Sequence, residues 1–242
     1  MQSKYKLNTQ LVRSGAEADP ETGAIAPPIH LATTYLHSPD GIPEGGHLYQ
    51  RQSNPTQSRL ECALAQVESG EAALAYASGL GAASGLFQTL PKGTRVIFHK
   101  NIYYATQSLV HQFFHKWDLR FEEQDLTQTG TQTPLPEKSV LWIESPSNPH
   151  MEVLDITALG QKAAASNGLL VVDNTFSTMA LQRPLSLGAD VVLYSATKYL
   201  GGHSDVMGGA LVFSRKDKFY EDCLNTRTLT GGVLSPATAS FE

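Results

Sequence analysis

Asp190-Val191-Val192-Leu193-Tyr194-Ser195-Ala196-Thr197-Lys198-Tyr199-Leu200-Gly201-Gly202-His203-Ser204-Asp205 is the stretch that decides how this chain is read. Its apolar start, with β-branched Val191 and Val192, has the character of a strand buried on both faces, as in a parallel sheet. Two hydroxyls and a lysine follow at once, and Gly201-Gly202 closes whatever begins at Lys198. The pattern describes a strand whose carboxyl end delivers a lysine into a dry place. Desolvation there would disfavour the ammonium form and free a lone pair for attack on a carbonyl. Ser195 and Thr197, two residues apart, can both hydrogen-bond an anion.

A single lysine in such a position reads first as an ordinary surface lysine snorkelling from a helix start. The preceding apolar run separates the two readings. Val171-Val172-Asp173 ends in an acid, the partner that the ring nitrogen of pyridoxal phosphate requires. Lysine for the covalent link, aspartate for the pyridinium and hydroxyls for the phosphate meet three separate demands of one cofactor.

The bulk numbers are those of a globular chain. At 242 residues, 41% hydrophobic and 17% charged, it can bury one large core, or one domain with a piece of a second. A net charge of -5 argues against a general nucleic-acid or anionic-membrane surface. Cys62 and Cys223 stand far apart and form neither a disulfide framework nor a metal knuckle. The segment Met1 to Asn8 has no apolar h-region, and no window reaches the length of a membrane span. The expectation is a cytoplasmic protein in a reducing compartment.

Residues 1–55 carry Pro27-Pro28, Pro39, Pro43 and Gly45-Gly46, which interrupt every long helix and describe an extended arm lying on the main domain or on a neighbouring subunit. Within it, Tyr49 and Arg51 at i, i+2 fall on one side of an extended strand, which suits phosphate binding. Thr56 can cap a helix that repeats Leu60, Leu64 and Val67 and ends near Gly70. Gly79-x-Gly81-x-x-x-Gly85 resembles a dinucleotide fingerprint, but the next strand, Arg95 to Phe98, runs into His99-Lys100-Asn101 and not into the acid that would hold a ribose. Ser78-Gly79-Leu80 reads instead as a helix N-terminus with free amides, or as a small-residue packing site. Alternation then follows: a helix over Tyr103 to Trp117, strands at Leu119 to Glu122 and Ser139 to Glu144, a polar loop between them from Asp125 to Lys138, and a helix from Ile156 to Asn167 with Gly168 as its left-handed stop. Strands at 169–173, 190–195 and 208–213 complete it. Such alternation predicts right-handed βαβ units and a mostly parallel sheet with helices on both faces, its ligands beyond the carboxyl ends of the strands, where Glu144, Asp173 and Ser195 fall. His111 and His115 have the i, i+4 spacing of a zinc pair but lack the intervening Glu and a third ligand, so a solvated face is the expectation and no metal is assigned.

Six blocks in one order carry a resemblance: Tyr49-Gln50-Arg51 with Asn54-Pro55-Thr56; Ala77-Ser78-Gly79; Tyr103-Tyr104-Ala105-Thr106; Glu144 through Pro149; Asp173-Asn174-Thr175-Phe176; and Ser195 through Tyr199 with Gly202 through Asp205. Together they resemble the pyridoxal-phosphate enzymes of cysteine and methionine metabolism, the cystathionine synthase and lyase family, over nearly the whole chain. The resemblance implies a fold-type-I, aminotransferase-like large domain over residues 56–242. It implies that Lys198 holds the cofactor and then shuttles protons as a base, and that Asp173 keeps the ring nitrogen protonated. The Ser78, Gly79 and Leu80 amides with Ser195 and Thr197 would bind the phosphate, joined by Tyr49 and Arg51 from the partner subunit of a homodimer or homotetramer. Tyr103 would stack on the ring, Asn148 would lie near the ring hydroxyl, and Tyr49 or Tyr103 would assist departure of the leaving group.

The sequence departs from the family pattern in three places. Leu80 stands where methionine is usual, Tyr104-Ala105 replaces a commoner Gly-Gly, and the chain stops at Glu242, before the C-terminal domain whose arginine grips the substrate α-carboxylate. The implied function is transsulfuration on a small amino-acid substrate: γ-replacement, or β- or γ-elimination, on cystathionine or an O-acylhomoserine. The alternatives are a truncated cofactor-binding module without turnover and, more remotely, a nicotinamide-dependent oxidoreductase.

Overall fold

A computed structural model describes residues 5–127 and 134–240. The middle of the Asp125 to Lys138 loop and the first residues of the arm lie outside these. Among the described residues no helix is long and apolar enough to cross a membrane.

The elements run α1 (Leu7–Arg13), α2 (Pro55–Glu68), β1 (Ala72–Tyr76), α3 (Gly79–Thr89), β2 (Arg95–His99), α4 (Tyr104–Phe113), β3 (Arg120–Gln124), β4 (Val140–Glu144), α5 (Ile156–Ala165) and β5 (Leu169–Asp173). After these come α6 (Thr178–Leu181), a short 3-10 turn, β6 (Val191–Tyr194), β7 (Gly209–Phe213), α7 (Lys218–Thr230) and α8 (Pro236–Ala239). The seven strands form one sheet in the order β1-β7-β6-β5-β4-β2-β3. Pairing is parallel from β3 through β6, while β7 runs antiparallel to both β6 and β1.

Side chains alternate across a strand, so each strand feeds two cores. On one face Leu60, Leu64 and Val67 of α2 and Ile156 and Leu159 of α5 pack on Leu141, Ile143, Val172 and Val192. On the other, Leu86 and Phe87 of α3 and Val110 of α4 pack on Phe98, Trp142, Val171 and Leu193. Phe87 and Trp142 anchor this second core with ring centroids 4.6 Å apart, a contact worth about 0.5–1.5 kcal/mol beyond its buried area. Because Trp142, Val171 and Leu193 point toward α3 and α4, the residues two further on, Glu144, Asp173 and Ser195, leave the sheet on that same side.

Several local expectations change. Ala72–Tyr76 is a buried strand ahead of the glycine-rich helix. It pairs with β7 rather than with β2, so Gly79 to Gly85 does not open the parallel unit of a dinucleotide fold. Gly85 serves packing: a Cβ there would lie 2.8 Å from the Tyr76 ring. Helix α2 is capped by Asn54, which accepts from the Thr56 and Gln57 amides at 2.9 and 3.4 Å, and not by Thr56. The left-handed stop after α5 is Asn167 (φ 51°). Gly168 is required for space, since a Cβ there would meet Ser139 O at 2.1 Å.

The arm contains the short α1, and otherwise touches the body with little burial. Ile25, Leu31, Leu36 and Ile42 are all more than 60% exposed. Tyr49 and Arg51 do not share an extended strand. The chain turns there, with Gln52 and Ser53 amides both returning to Tyr49 O at 2.9 and 3.1 Å, and the Arg51 guanidinium lies 5.3 Å from the Tyr49 ring centre. His111 packs on Phe121 at 4.9 Å between ring centres, and the described residues contain no cluster of three or more His, Cys, Asp or Glu able to hold a metal ion.

Candidate functional site

Strand order reverses between β2 and β4: β3 lies outside β2, and the chain then returns to place β4 on the other side. In open α/β sheets ligands bind at such a switch, beyond the strand carboxyl ends. A cavity of about 310 Å³ opens there, lined by Ser78, Gly79, Leu80, Tyr103, Asn148, Asp173, Ser195, Thr197 and Lys198. Nine of the predicted site residues therefore converge. Tyr49 and Arg51 are the exceptions, being absent from the lining and exposed on their turn.

Asp173 ends β5 in register with Glu144 on β4 and Leu193 on β6. Its Oδ1 accepts from the Thr175 amide at 3.1 Å and from the Thr175 hydroxyl at 2.6 Å. Burial nevertheless raises this carboxyl, to about 6. Glu144, 5% exposed, accepts from the Tyr103 amide at 2.6 Å. Burial first, and then the nearby Asp173 charge, raise it to about 8. Two carboxyls side by side resist joint ionisation, so the pair keeps a proton near neutral pH.

Ser78 caps α3, its hydroxyl accepting from the Gly81 amide at 3.0 Å, which leaves the Gly79 and Leu80 amides without an intrahelical acceptor. Together with the helix dipole they form an anion cradle. Close backbone approach makes the glycines necessary. A Cβ on Gly79 would stand 2.9 Å from Ser195 Cβ, and one on Gly209 would stand 2.2 Å from Ser78 O.

Lys198 departs from its expected setting. Strand β6 stops at Tyr194, and the chain turns through 196–201, the Lys198 amide returning to Ser195 O at 3.1 Å. This carries the lysine past the dry strand end to the rim of the cavity, where it is exposed. The Thr197 hydroxyl is committed to Gly208, donating to its carbonyl at 3.0 Å and accepting from its amide at 3.1 Å. Tyr103 has its ring 4.8 Å from that of Tyr104, so the residue that replaces a commoner glycine packs edge-on against the expected ring platform.

Glu144 and Thr175 also line the cavity without having been sequence candidates. Glu144 was placed at a strand end but given no role, because its partner is a backbone amide distant in sequence. Thr175 bridges Asp173 and the Ser195 amide, the latter at 2.9 Å. The Asp-Asn-Thr order is a signal for such a turn, since side chains of this kind hydrogen-bond backbone two residues away.

A lysine on the rim, a carboxyl at a strand end, an aromatic ring and a helix N-terminus line one switch-point cavity, a donor set that fits pyridoxal phosphate. The family model for Cys/Met metabolism PLP-dependent enzymes matches residues 8–241, and the chain belongs to that family, whose members depend on pyridoxal phosphate. It is 41% identical over 235 residues to cystathionine gamma-synthase of Mycobacterium tuberculosis, covering 96% of this chain and 60% of that protein. To cystathionine gamma-lyase of Bacillus subtilis it is 36% identical, covering 96% and 61%. The crystal structure of cystathionine gamma-lyase from Lactobacillus plantarum complexed with L-serine superposes with a TM-score of 0.90 at 32% identity, covering 98% of this chain and 62% of that one. The chain thus spans about three fifths of the relatives' length.

Proposed function

We propose that this chain holds pyridoxal phosphate through Lys198 and belongs to an enzyme that makes or breaks the C–S bond of sulfur amino acids, by γ-replacement or by β- or γ-elimination on cystathionine or an O-acylhomoserine. The observation that carries this reading is the convergence of Lys198, Asp173, Tyr103 and the Ser78 to Leu80 cradle on one cavity. When bound, the cofactor supplies an electron sink for charge developing at the substrate Cα.

The chain's own groups supply the rest. Asp173 as carboxylate holds a proton on the ring nitrogen. Ser78, Gly79 and Leu80 bind the phosphate, with Ser195 beside them and Thr197 buttressing the wall. Tyr103 stacks on the ring and Asn148 meets its hydroxyl. The Lys198 amine, once free, takes the proton from Cα and returns one further along the substrate. Tyr49 and Arg51 serve the phosphate of a second copy in a homodimer or homotetramer, which agrees with their exposure and with the uncovered apolar side chains of the arm. Cys62 and Cys223 are free thiols, in keeping with a cytoplasmic setting.

Titration of the full chain with pyridoxal phosphate, followed by visible absorbance, tests cofactor binding. Binding that Lys198→Ala weakens strongly supports the reading, and indifference to that change sinks it. Cystathionine alone, against O-acylhomoserine with cysteine, then separates lyase from synthase. Binding with no turnover of either would identify a cofactor-binding module.

A further inference from the structure

Glu144 has no part in the chemistry proposed above, yet it touches the groups that frame the cofactor ring. It ends β4 at the switch point, beside Asp173 in the strand register. Its Oε2 accepts from the Tyr103 amide across the gap between β4 and β2 at 2.6 Å. Asn148, four residues on in the loop that follows β4, lines the same cavity as Glu144 and Tyr103. One buried side chain therefore ties down the expected stacking residue and borders the group assigned to the ring nitrogen.

We propose that Glu144 is a positioning residue for the cofactor ring, its carboxyl fixing the backbone of Tyr103 at the edge of the plane that Asp173 addresses. The inference rests on the pyridoxal-phosphate reading and deepens it. Two requirements meet in this residue. Reach is needed because the acceptor must span from the end of β4 to the start of α4. Neutrality is needed because a second full charge beside Asp173 would oppose the ionised Asp173 that addresses the ring nitrogen. Burial and the Asp173 charge both hold Glu144 in its protonated form near neutral pH.

Glu144→Gln keeps reach and is neutral, whereas Glu144→Asp keeps the ionisable group and loses a methylene of reach. The test measures the pyridoxal phosphate dissociation constant of the full chain by spectroscopic titration, alongside the melting temperature without cofactor. The expected result is a Gln variant within about threefold of the wild type and an Asp variant at least about tenfold weaker, as a lost buried hydrogen bond implies. The two cofactor-free melting temperatures should not follow that order. An Asp variant binding as tightly as the Gln variant, or affinity losses that simply track melting temperature, would overturn the positioning role. Failure of the wild-type chain to bind the cofactor at all would remove the underlying reading and this inference with it.

Discussion

The Thr175 hydroxyl donates to Asp173 Oδ1 at 2.6 Å while accepting from the Ser195 amide at 2.9 Å. A single oxygen thereby links the carboxylate at the end of β5 to the first residue beyond β6, three positions before Lys198. The hydrogen bond to Asp173 favours the ionised carboxylate against the burial that opposes it.

Thr175→Val preserves shape and removes the link. The Ser195 amide is left without its acceptor, and Asp173 without its strongest donor, a loss of about 1–3 kcal/mol. A lower urea midpoint and a pyridoxal phosphate dissociation constant raised roughly tenfold are expected, with Thr175→Ser recovering most of both. Equal affinities for the Val variant and the wild type would show that Asp173 needs no help from its neighbour.

Gly79 and Gly209 make a second pair of tests because their missing side chains meet different things. A Cβ at position 79 would meet Ser195 Cβ at 2.9 Å and its Cα at 3.1 Å, whereas one at 209 strikes Ser78 O at 2.2 Å and Gly79 N at 2.6 Å, a deeper overlap with backbone. Gly79→Ala should cost some stability, because neither Ser195 Cα nor Cβ moves with a rotamer change, and should narrow the cradle and weaken pyridoxal phosphate binding by about tenfold or more. Gly209→Ala drives backbone from backbone and should cost more stability, on the order of 1–3 kcal/mol as for overpacking. Circular dichroism melts beside cofactor titrations would distinguish the two patterns.

How legible this was in the sequence varied with the range of the forces. Strands β4, β5 and β6 were readable because burial on both faces makes them continuous apolar runs, and their ends named Glu144, Asp173 and Ser195 as neighbours before any geometry. β1 was hidden because Ala72-Ala73-Leu74-Ala75-Tyr76 lacks β-branched residues and becomes a strand only through pairing with β7. The exposure of Lys198 could not be read from its apolar approach, since the turn after Tyr194 carries it four residues beyond the dry part. Tyr49 and Arg51 were legible as a pair of phosphate-binding types but not as a turn, where two backbone hydrogen bonds outweigh the extended alternative.

Glu68 provides a pH test on the other face of the sheet. It is fully buried, accepts from the Tyr194 hydroxyl at 2.6 Å and from the Leu185 amide at 3.3 Å, and burial raises it to about 7 from 4.5. Below the unfolded value both states hold the proton. Between the two values the folded state keeps a proton that the unfolded chain has released, so this group's contribution to stability falls as pH rises through that window, and it is constant again above about 7. Glu68→Gln cannot ionise and should lose this dependence, gaining up to roughly 3 kcal/mol relative to wild type between pH 4 and pH 8. Denaturant melts of both proteins at the two pH values measure the difference. An unchanged gap would mean that Glu68 ionises freely in the fold.

Arg227 joins the arm to the body and supplies the last test. It is 1% exposed and donates to Glu61 Oε1, to Ala75 O at 2.8 Å and to Gln52 O at 3.4 Å. Glu61 in turn accepts from the Ala75 amide at 2.8 Å and from Gln57 at 2.9 Å. Removing one partner of a buried pair strands the other charge, so Arg227→Met should cost about 3–5 kcal/mol, and Arg227→Met with Glu61→Gln should cost less than the sum of the two changes. Gln52 lies in the turn that carries Tyr49 and Arg51, so the arginine also tethers those residues. Limited proteolysis of the Met variant should therefore cut near residues 44–53 at denaturant concentrations where the wild type stays intact and before the core unfolds. Cutting that begins only with global unfolding would assign Arg227 to the core alone and leave the turn held by its own hydrogen bonds.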